Sequence, residues 1–385
     1  MIGRRHVVLG GVSGALLLGA LPQSAFAATG GSKRLVFVLQ RGAADGLSTL
    51  MPLGDPAFAA ARGALAADAE QAIRIDPFFA LHPSLVRTAR FFRDKEAAFV
   101  HAVASPYRDR SHFDGQNVLE TGGSVAYRVK DGWLNRLIGM LPRADAGAIA
   151  IAPTVPVILR GANGVTSYAP SNLPDASADL LERVTMLYRA DPVFDGLWQD
   201  ALRTRGIAGD DAAVRGPGAA AATGALAARL LAARDGARIA TIELDGWDTH
   251  AGQRPRLANQ LRGLDAMLGA LRDGLGEHWR DTLVIVATEF GRTVAINGTG
   301  GTDHGTASVA MLVGGAVAGG RIAADWPGLK AAALHEGRDL RPTAGLDAMI
   351  AGAVADHFGL DPVRAGALLF PETRPAQPIS GLIRS

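Results

Sequence analysis

Short apolar runs recur along the chain, and each ends in a polar cluster carrying acids, histidines or arginines. Arg34 to Gln40 (RLVFVLQ), Ala97 to Val103 (AAFVHAV), Arg238 to Leu244 (RIATIEL), Leu283 to Ala287 and Ser308 to Val313 are such runs. Near-continuous apolarity of that length predicts strands buried on both faces. Ala148 to Ala152 and Val155 to Leu159 predict two more. Between them lie helical patterns: Ala57 to Ala67, Ser84 to about Lys95 with a proline near the first turn, a stretch ending at Glu120 before Thr121-Gly122-Gly123, and Trp133 to Leu141. Arg254 to Leu275 sets Leu257, Leu261, Leu264, Leu268 and Leu271 on one stripe, and Thr343 to Phe358 predicts a terminal helix. Asp175 to Arg205 is helical in period but peripheral in composition, and Asp210 to Thr223 reads as a flexible Gly/Ala-rich turn. Strands alternating with helices predict an α/β fold, a three-layer sandwich with a mostly parallel sheet and helices on both faces. No second composition regime begins along the chain, so residues 28–385 are expected to form a single domain.

Four strand ends carry polar groups: Asp45, the turn from Arg108 to Asp114, Asp248 with His250, and Glu289. In a parallel sheet the carboxyl ends share one edge, where open α/β sheets bind ligands. Asp248 and His250, two apart, face the same way in extended backbone and suit Zn²⁺ or Mn²⁺. A turn aspartate and a helix-capping histidine are the plainer alternative. Glu289, following a buried strand, must be paired or metal-bound, and Arg292 is its alternative partner. Asp303 and His304 are adjacent and share a target only in a loop. Ser111 opens a helix, where a hydroxyl is an N-cap or the neighbour of a bound anion. Arg108 and Arg110 favour the anion, and His112 is a candidate base.

Composition narrows the classes. The chain has no cysteine among its 385 residues, which excludes disulfides, thiolate nucleophiles and Cys-based metal sites. Any metal therefore sits on imidazole, carboxylate, hydroxyl or carbonyl groups. Formal charge is +2, and no basic stripe interleaves with aromatics, so nucleic acid is not an expected partner. Arg4-Arg5, a modest apolar stretch and Ala25-Phe26-Ala27 make residues 1–27 an expected twin-arginine signal peptide. The apolar part is shorter than the ~20 residues of a spanning helix. The expectation is export to the periplasm or beyond by the twin-arginine translocation machinery, with no stable membrane span.

The segments RGAADGLSTLMPLGDP, RSHFDGQNVLETG, GWLNRL, GWDTHAGQ, TEFGRT and NGTGGTDHGTASVAMLVGG resemble a bacterial exported family, often bearing twin-arginine signals. That family is distantly related to the alkaline phosphatase and sulfatase superfamily. The resemblance implies an alkaline-phosphatase-like fold and a two-metal site served by a hydroxyl nucleophile. It assigns the nucleophile to Ser111, the first metal to Asp248, His250 and His304, and the second to Asp45 and Glu289. Phe290 departs from the pattern, standing where a metal-binding histidine is expected, unless Asp303 or His112 substitutes. The sulfatase Cys/Ser-x-Pro-x-Arg signature is missing around Ser111, which argues against a modified nucleophile.

The expected function is hydrolysis of a small anionic ester, a phosphate, sulfate or relative. One or two divalent ions, zinc or manganese, or else magnesium or calcium, would assist, with Arg108 or Arg110 clamping the anion. The rival expectation is a non-catalytic exported protein that keeps the fold for binding or surface assembly.

Overall fold

In the computed structural model, Arg34–Gln40 forms strand β1, buried along its whole length. Its side chains alternate between two cores: Val36 and Val38 pack into one apolar cluster, Leu35, Phe37 and Leu39 into the other. The other apolar runs give β2 (Ala97–Ala104), β3 (Ala148–Ile151), β5 (Ile239–Leu244), β6 (Thr282–Thr288) and β7 (Ser308–Val313), and three short, less buried strands, β4 (Thr166–Ser167), β8 (Arg321–Ala323) and β9 (Ala344–Gly345), extend them. They join in one sheet of order β8-β2-β7-β6-β1-β5-β3-β4, with β9 beside β2. Strand β7 runs antiparallel to β2 and β6, and the remaining pairs are parallel. Hence β1, β2, β5 and β6 all end on one edge, and β7 starts there. The structure describes residues 32–142, 147–170, 176–208, 218–234, 236–375 and 377–384. The expected signal peptide and most of the expected flexible turn at 210–223 lie outside them.

Helices cover both faces. One core is closed by α2 (Val86–Arg93), α5 (Ala219–Ala232) and α6 (Gln253–Leu275), the other by α4 (Trp133–Ile138), α7 (Leu346–Phe358) and α8 (Pro362–Leu369). The sandwich predicted from the sequence is the one observed. The leucine stripe of α6 is fully buried, each side chain contributing roughly 1.5–3 kcal/mol relative to exposure. Two further helices, α1 (Gly46–Thr49) and α3 (His112–Thr121), follow β1 and β2 at the edge where those strands end.

Some elements differ from expectation. Val155 to Leu159 is not a strand: Pro156 lacks an N–H for a ladder, and Val157–Leu159 is a single 3₁₀ turn. The alanine-rich stretch forms α-helix only over Phe58–Arg62 and continues as 3₁₀ helix over Gly63–Gln71, broken where Gly63 adopts a φ of 54°. The helix at Trp133 stops at Ile138, and the helix expected from Thr343 begins at Leu346 and is not terminal, since α8 follows it.

Candidate metal centre

Three loops meet at the carboxyl edge. The turn after β5 carries Asp248 and His250. The connection from β6 to β7 folds back on itself, with Arg292 bridging His304 and the Thr293 N–H donating to the Asp303 carbonyl at 2.9 Å. The loop after β2 enters α3 through Arg110, Ser111 and His112. Backbone contact between these loops is tight. At Gly301 a Cβ would lie 2.2 Å from the Thr249 carbonyl oxygen, and at Gly42, whose φ is +115°, 2.5 Å from the Asp248 nitrogen. With no Cβ, these two glycines let backbone approach backbone.

Around Asp248 stand three imidazoles, each tethered through Nδ1. His112 Nδ1 lies 2.8 Å from Glu289 Oε1, His250 Nδ1 3.1 Å from Asp303 Oδ1, and His304 Nδ1 2.8 Å from the Arg110 carbonyl oxygen. A carbonyl only accepts, so His304 carries its proton on Nδ1, and ionised carboxylates assign the same tautomer to the other two. All three Nε2 lone pairs then face Asp248. His250 Nε2 is 3.0 Å and His304 Nε2 3.4 Å from Asp248 Oδ1, while His112 Nε2 is 3.5 Å from Oδ2.

Two features of this cup call for a cation. His250 Nε2 and His304 Nε2 lie 2.9 Å apart, and two lone pairs at that distance repel unless a proton or metal ion sits between them. His112 Nε2 is buried with no hydrogen-bond partner, an unmet acceptor that burial makes costly. Donor atoms of His112, Asp248 and His304 fall within 4.8 Å of one another. Imidazole and carboxylate are zinc-type ligands, and an Nδ1–H anchored on oxygen is the outer shell of metal-bound histidines. The donor set fits a divalent metal.

The electrostatics favour ligation at Asp248 and His304, while His112 is held toward its protonated form, from which a cation would have to displace a proton. Burial works to raise the Asp248 pKa, but the Arg292 guanidinium at 2.6 Å, with His250 and His112, outweighs it and keeps the carboxyl below its usual range. Burial lowers the His304 pKa, favouring the neutral, ligating form. The hydrogen bond to Glu289 leads in raising that of His112. Asp303 is lowered by the Asn297 amide first and His250 next.

Glu289 stands one layer behind the cup. Its Oε1 accepts from the Gly42 N–H at 2.8 Å, His112 and Gln116, and Oε2 lies 2.9 Å from the Thr288 hydroxyl, whose one proton is shared with the Gln40 carbonyl. Against its burial these donors hold it ionised. Arg292, the alternative partner weighed for Glu289, instead spans Asp248 and Thr302. Phe290 is buried and stacks on His112 with centroids 5.1 Å apart, closing the cup with a ring.

Asp45 is set apart from these groups. Its carboxylate caps α1, accepting from the Leu47 and Ser48 N–H groups, and is enclosed by the Ser48 hydroxyl, Arg62 and Gln253. Arg62 and Gln253 had not been singled out in the sequence. A lone arginine in an alanine-rich stretch reads as a solvated face, whereas Gln253 closes the GWDTHAGQ segment.

Ser111 lies at the N-cap of α3 with no side-chain capping bond, and its N–H donates to the Tyr107 hydroxyl at 3.1 Å. It sits in sequence between the carbonyl that tethers His304 and the imidazole of His112. The two arginines are engaged elsewhere. Arg110, at a left-handed φ of 59°, bonds Glu336 at 2.5 Å and Asp339 at 2.8 Å. Arg108 folds onto the carbonyls of Ser105 and Tyr107.

A family model described as "Protein of unknown function (DUF1501)" matches residues 32–365. No curated protein matches the chain. Among solved structures, the chain is similar to Ps i-CgsB in complex with k-i-k-neocarrahexaose, with 13% identity, a TM-score of 0.44, and 90% of this chain and 77% of that one covered. It is also similar to the phosphonate monoester hydrolase of Agrobacterium radiobacter, at 13% identity and a TM-score of 0.41, covering 86% of this chain and 74% of that one. Both scores are too low to bear on the chemistry.

Proposed function

We propose, from the premise that the chain belongs to the DUF1501 family, that it is an exported hydrolase of a small anionic ester, a phosphate, sulfate or relative. It works with one divalent cation held by Asp248, His112, His250 and His304. The convergence of three Nδ1-tethered imidazoles on one carboxylate carries this reading. When bound, the metal supplies Lewis acidity toward an ester oxygen and lowers the pKa of a nearby hydroxyl or water.

This chain's own residues do the rest. Glu289, Asp303 and the Arg110 carbonyl fix the imidazole tautomers. Arg292 keeps Asp248 ionised. Phe290 shields His112 from water. Ser111 is the proposed nucleophile: its hydroxyl is not spent on capping, and its position at the start of a ten-residue helix gives an anion positive backbone ends. Oγ bonds to the phosphorus or sulfur as the bond to the ester oxygen breaks, the serine proton passes to the departing oxygen so that an alcohol leaves, and water then cleaves the ester formed on Ser111 and restores its hydroxyl. A second ion has no part in the proposal. Asp45 is neutralised by Arg62, and Glu289 Oε1 has three donors.

A second reading follows from Arg108 and Arg110, whose guanidinium groups bind protein rather than facing the cup. It is a metal-bearing binding protein without turnover. Elemental analysis of protein exported by its own signal, paired with turnover of aryl phosphates and sulfates, separates the two. The hydrolase predicts one metal per chain, and Ser111→Ala retains it while turnover falls by orders of magnitude. Metal with no turnover of any ester leaves the binding protein, and absence of metal ends both readings.

A further inference from the structure

Next to the metal cup the first turns of α3 form one wall of a cleft of about 330 Å³, within the ~300–1,000 Å³ range of small-molecule sites. The Gln116 side chain links the two. Gln116 donates to Glu289 Oε1 at 3.1 Å on the cup side and accepts from Arg41 at 2.5 Å on the cleft side. Phe113, which directly follows His112, is 81% exposed, and Tyr127 is 53% exposed. Tyr127 holds a left-handed φ of 62°, a conformation costly for a tyrosine, with its N–H donating to Asn117 at 2.6 Å. Two large aromatic faces thus stand in solvent beside a candidate reaction centre.

The polar lining is balanced. Arg41 bonds Glu120 at 2.9 Å and Glu243 at 2.6 Å, and Arg160 adds a second cation. Two arginines against two glutamates leave no net charge to attract a second anionic group. Glu120 is spent, since its other oxygen accepts the Ile158 N–H at 3.0 Å. Glu243 stays partly exposed, and Arg160 is exposed.

We propose that this cleft is the subsite for the alcohol part of the ester, and that this part is a neutral polyhydroxylated ring of the sugar class. The inference rests on the hydrolase reading for the word "ester", but the cleft's chemistry stands apart from the metal. A hydroxyl both donates and accepts, so one ring can satisfy the Glu243 carboxylate and the Arg160 guanidinium together. A plain hydrocarbon or aryl ring would desolvate the donors and acceptors that Arg41 and Val155 leave unused on those groups without offering them a partner, a penalised exchange. The apolar C–H faces of a sugar ring match Phe113 and Tyr127.

The test is direct binding of methyl glycosides of glucose, galactose and N-acetylglucosamine to the full exported chain, followed by saturation-transfer NMR and calorimetry. Chelated and metal-loaded protein are compared, with benzyl alcohol and cyclohexanol as probes lacking the hydroxyl set. At least one glycoside should bind with equal affinity in both forms. Phe113→Ala and Glu243→Gln should each weaken it about tenfold without changing metal content, and Phe113 is exposed enough that its loss spares the fold. The proposal is overturned if no glycoside binds, if neither substitution matters, or if benzyl alcohol binds as tightly. Glycoside binding without turnover of any ester keeps the subsite and removes the hydrolase. Turnover of aryl esters without glycoside binding does the reverse.

Discussion

Asp45 and Asp248 follow parallel strands on the same sheet edge, and each meets a buried arginine, yet they end in opposite states. Every accessible lone pair of Asp45 is used: two backbone N–H groups take Oδ1, and Ser48, Arg62 and Gln253 take Oδ2. Arg62 is itself fixed by the carbonyls of Thr293 and Val294. Asp248 gives one oxygen to Arg292 and keeps 42% of its side chain exposed among three imidazoles. A carboxylate at a strand end is therefore no metal ligand by position alone. What counts is how many lone pairs the protein leaves unspent. In the Asp45 well a guanidinium is the resident cation, and in the Asp248 cup the carboxylate faces nitrogen donors.

The sharpest way to break this contrast is to remove the resident cation. Arg62→Met leaves a buried carboxylate without its countercharge, which should cost about 3–5 kcal/mol in urea unfolding. The double variant with Asp45→Asn should recover most of that, since no uncompensated charge remains. A loss below about 1 kcal/mol for Arg62→Met would mean that Asp45 is not held by it. Metal content of the Asp45→Asn variant should equal that of the parent, because the well contributes no ligand.

A smaller effect separates the two carboxylates at the cup itself. Glu289→Gln keeps the shape but replaces the charge that orients His112 Nδ1–H, so metal affinity should fall about 10–100-fold. Competition against a chromophoric chelator reads this directly. An unchanged affinity would show that His112 is a wall rather than a ligand, leaving Asp248, His250 and His304 to hold the ion.

The fold was legible because apolar runs of strand length alternate with helical stripes, and the observed sheet uses every one of them except Val155 to Leu159. Orientation of β7 was not legible. A buried strand reads alike in either direction, and only the close fold-back between Glu289 and Ala307 returns the chain antiparallel. At the site, the acids and histidines marked from the sequence gather at one edge, but their layering was invisible. Whether Glu289 touches the metal position or His112 depends on Gly42 and Gln116, residues distant in sequence that fill its lone pairs. Arg62 lies 17 residues beyond Asp45, on a broken helix whose 3₁₀ continuation sequence periodicity does not announce.

The mildest test compares two tethers of the same type in different surroundings. Asp303 orients His250 as Glu289 orients His112, but its side chain is 57% exposed whereas that of Glu289 is fully buried. Water competes for the exposed pair, so its coupling should be worth about 0.2–1 kcal/mol. Asp303→Asn should therefore weaken metal binding roughly fivefold or less, with the unfolding midpoint unmoved. Asn297 also donates to Asp303 Oδ1, at 3.1 Å, and keeps an acceptor in place after the substitution. A loss as large as that of Glu289→Gln would mean that burial does not set the strength of these tethers, and that Asp303 reaches the ion itself.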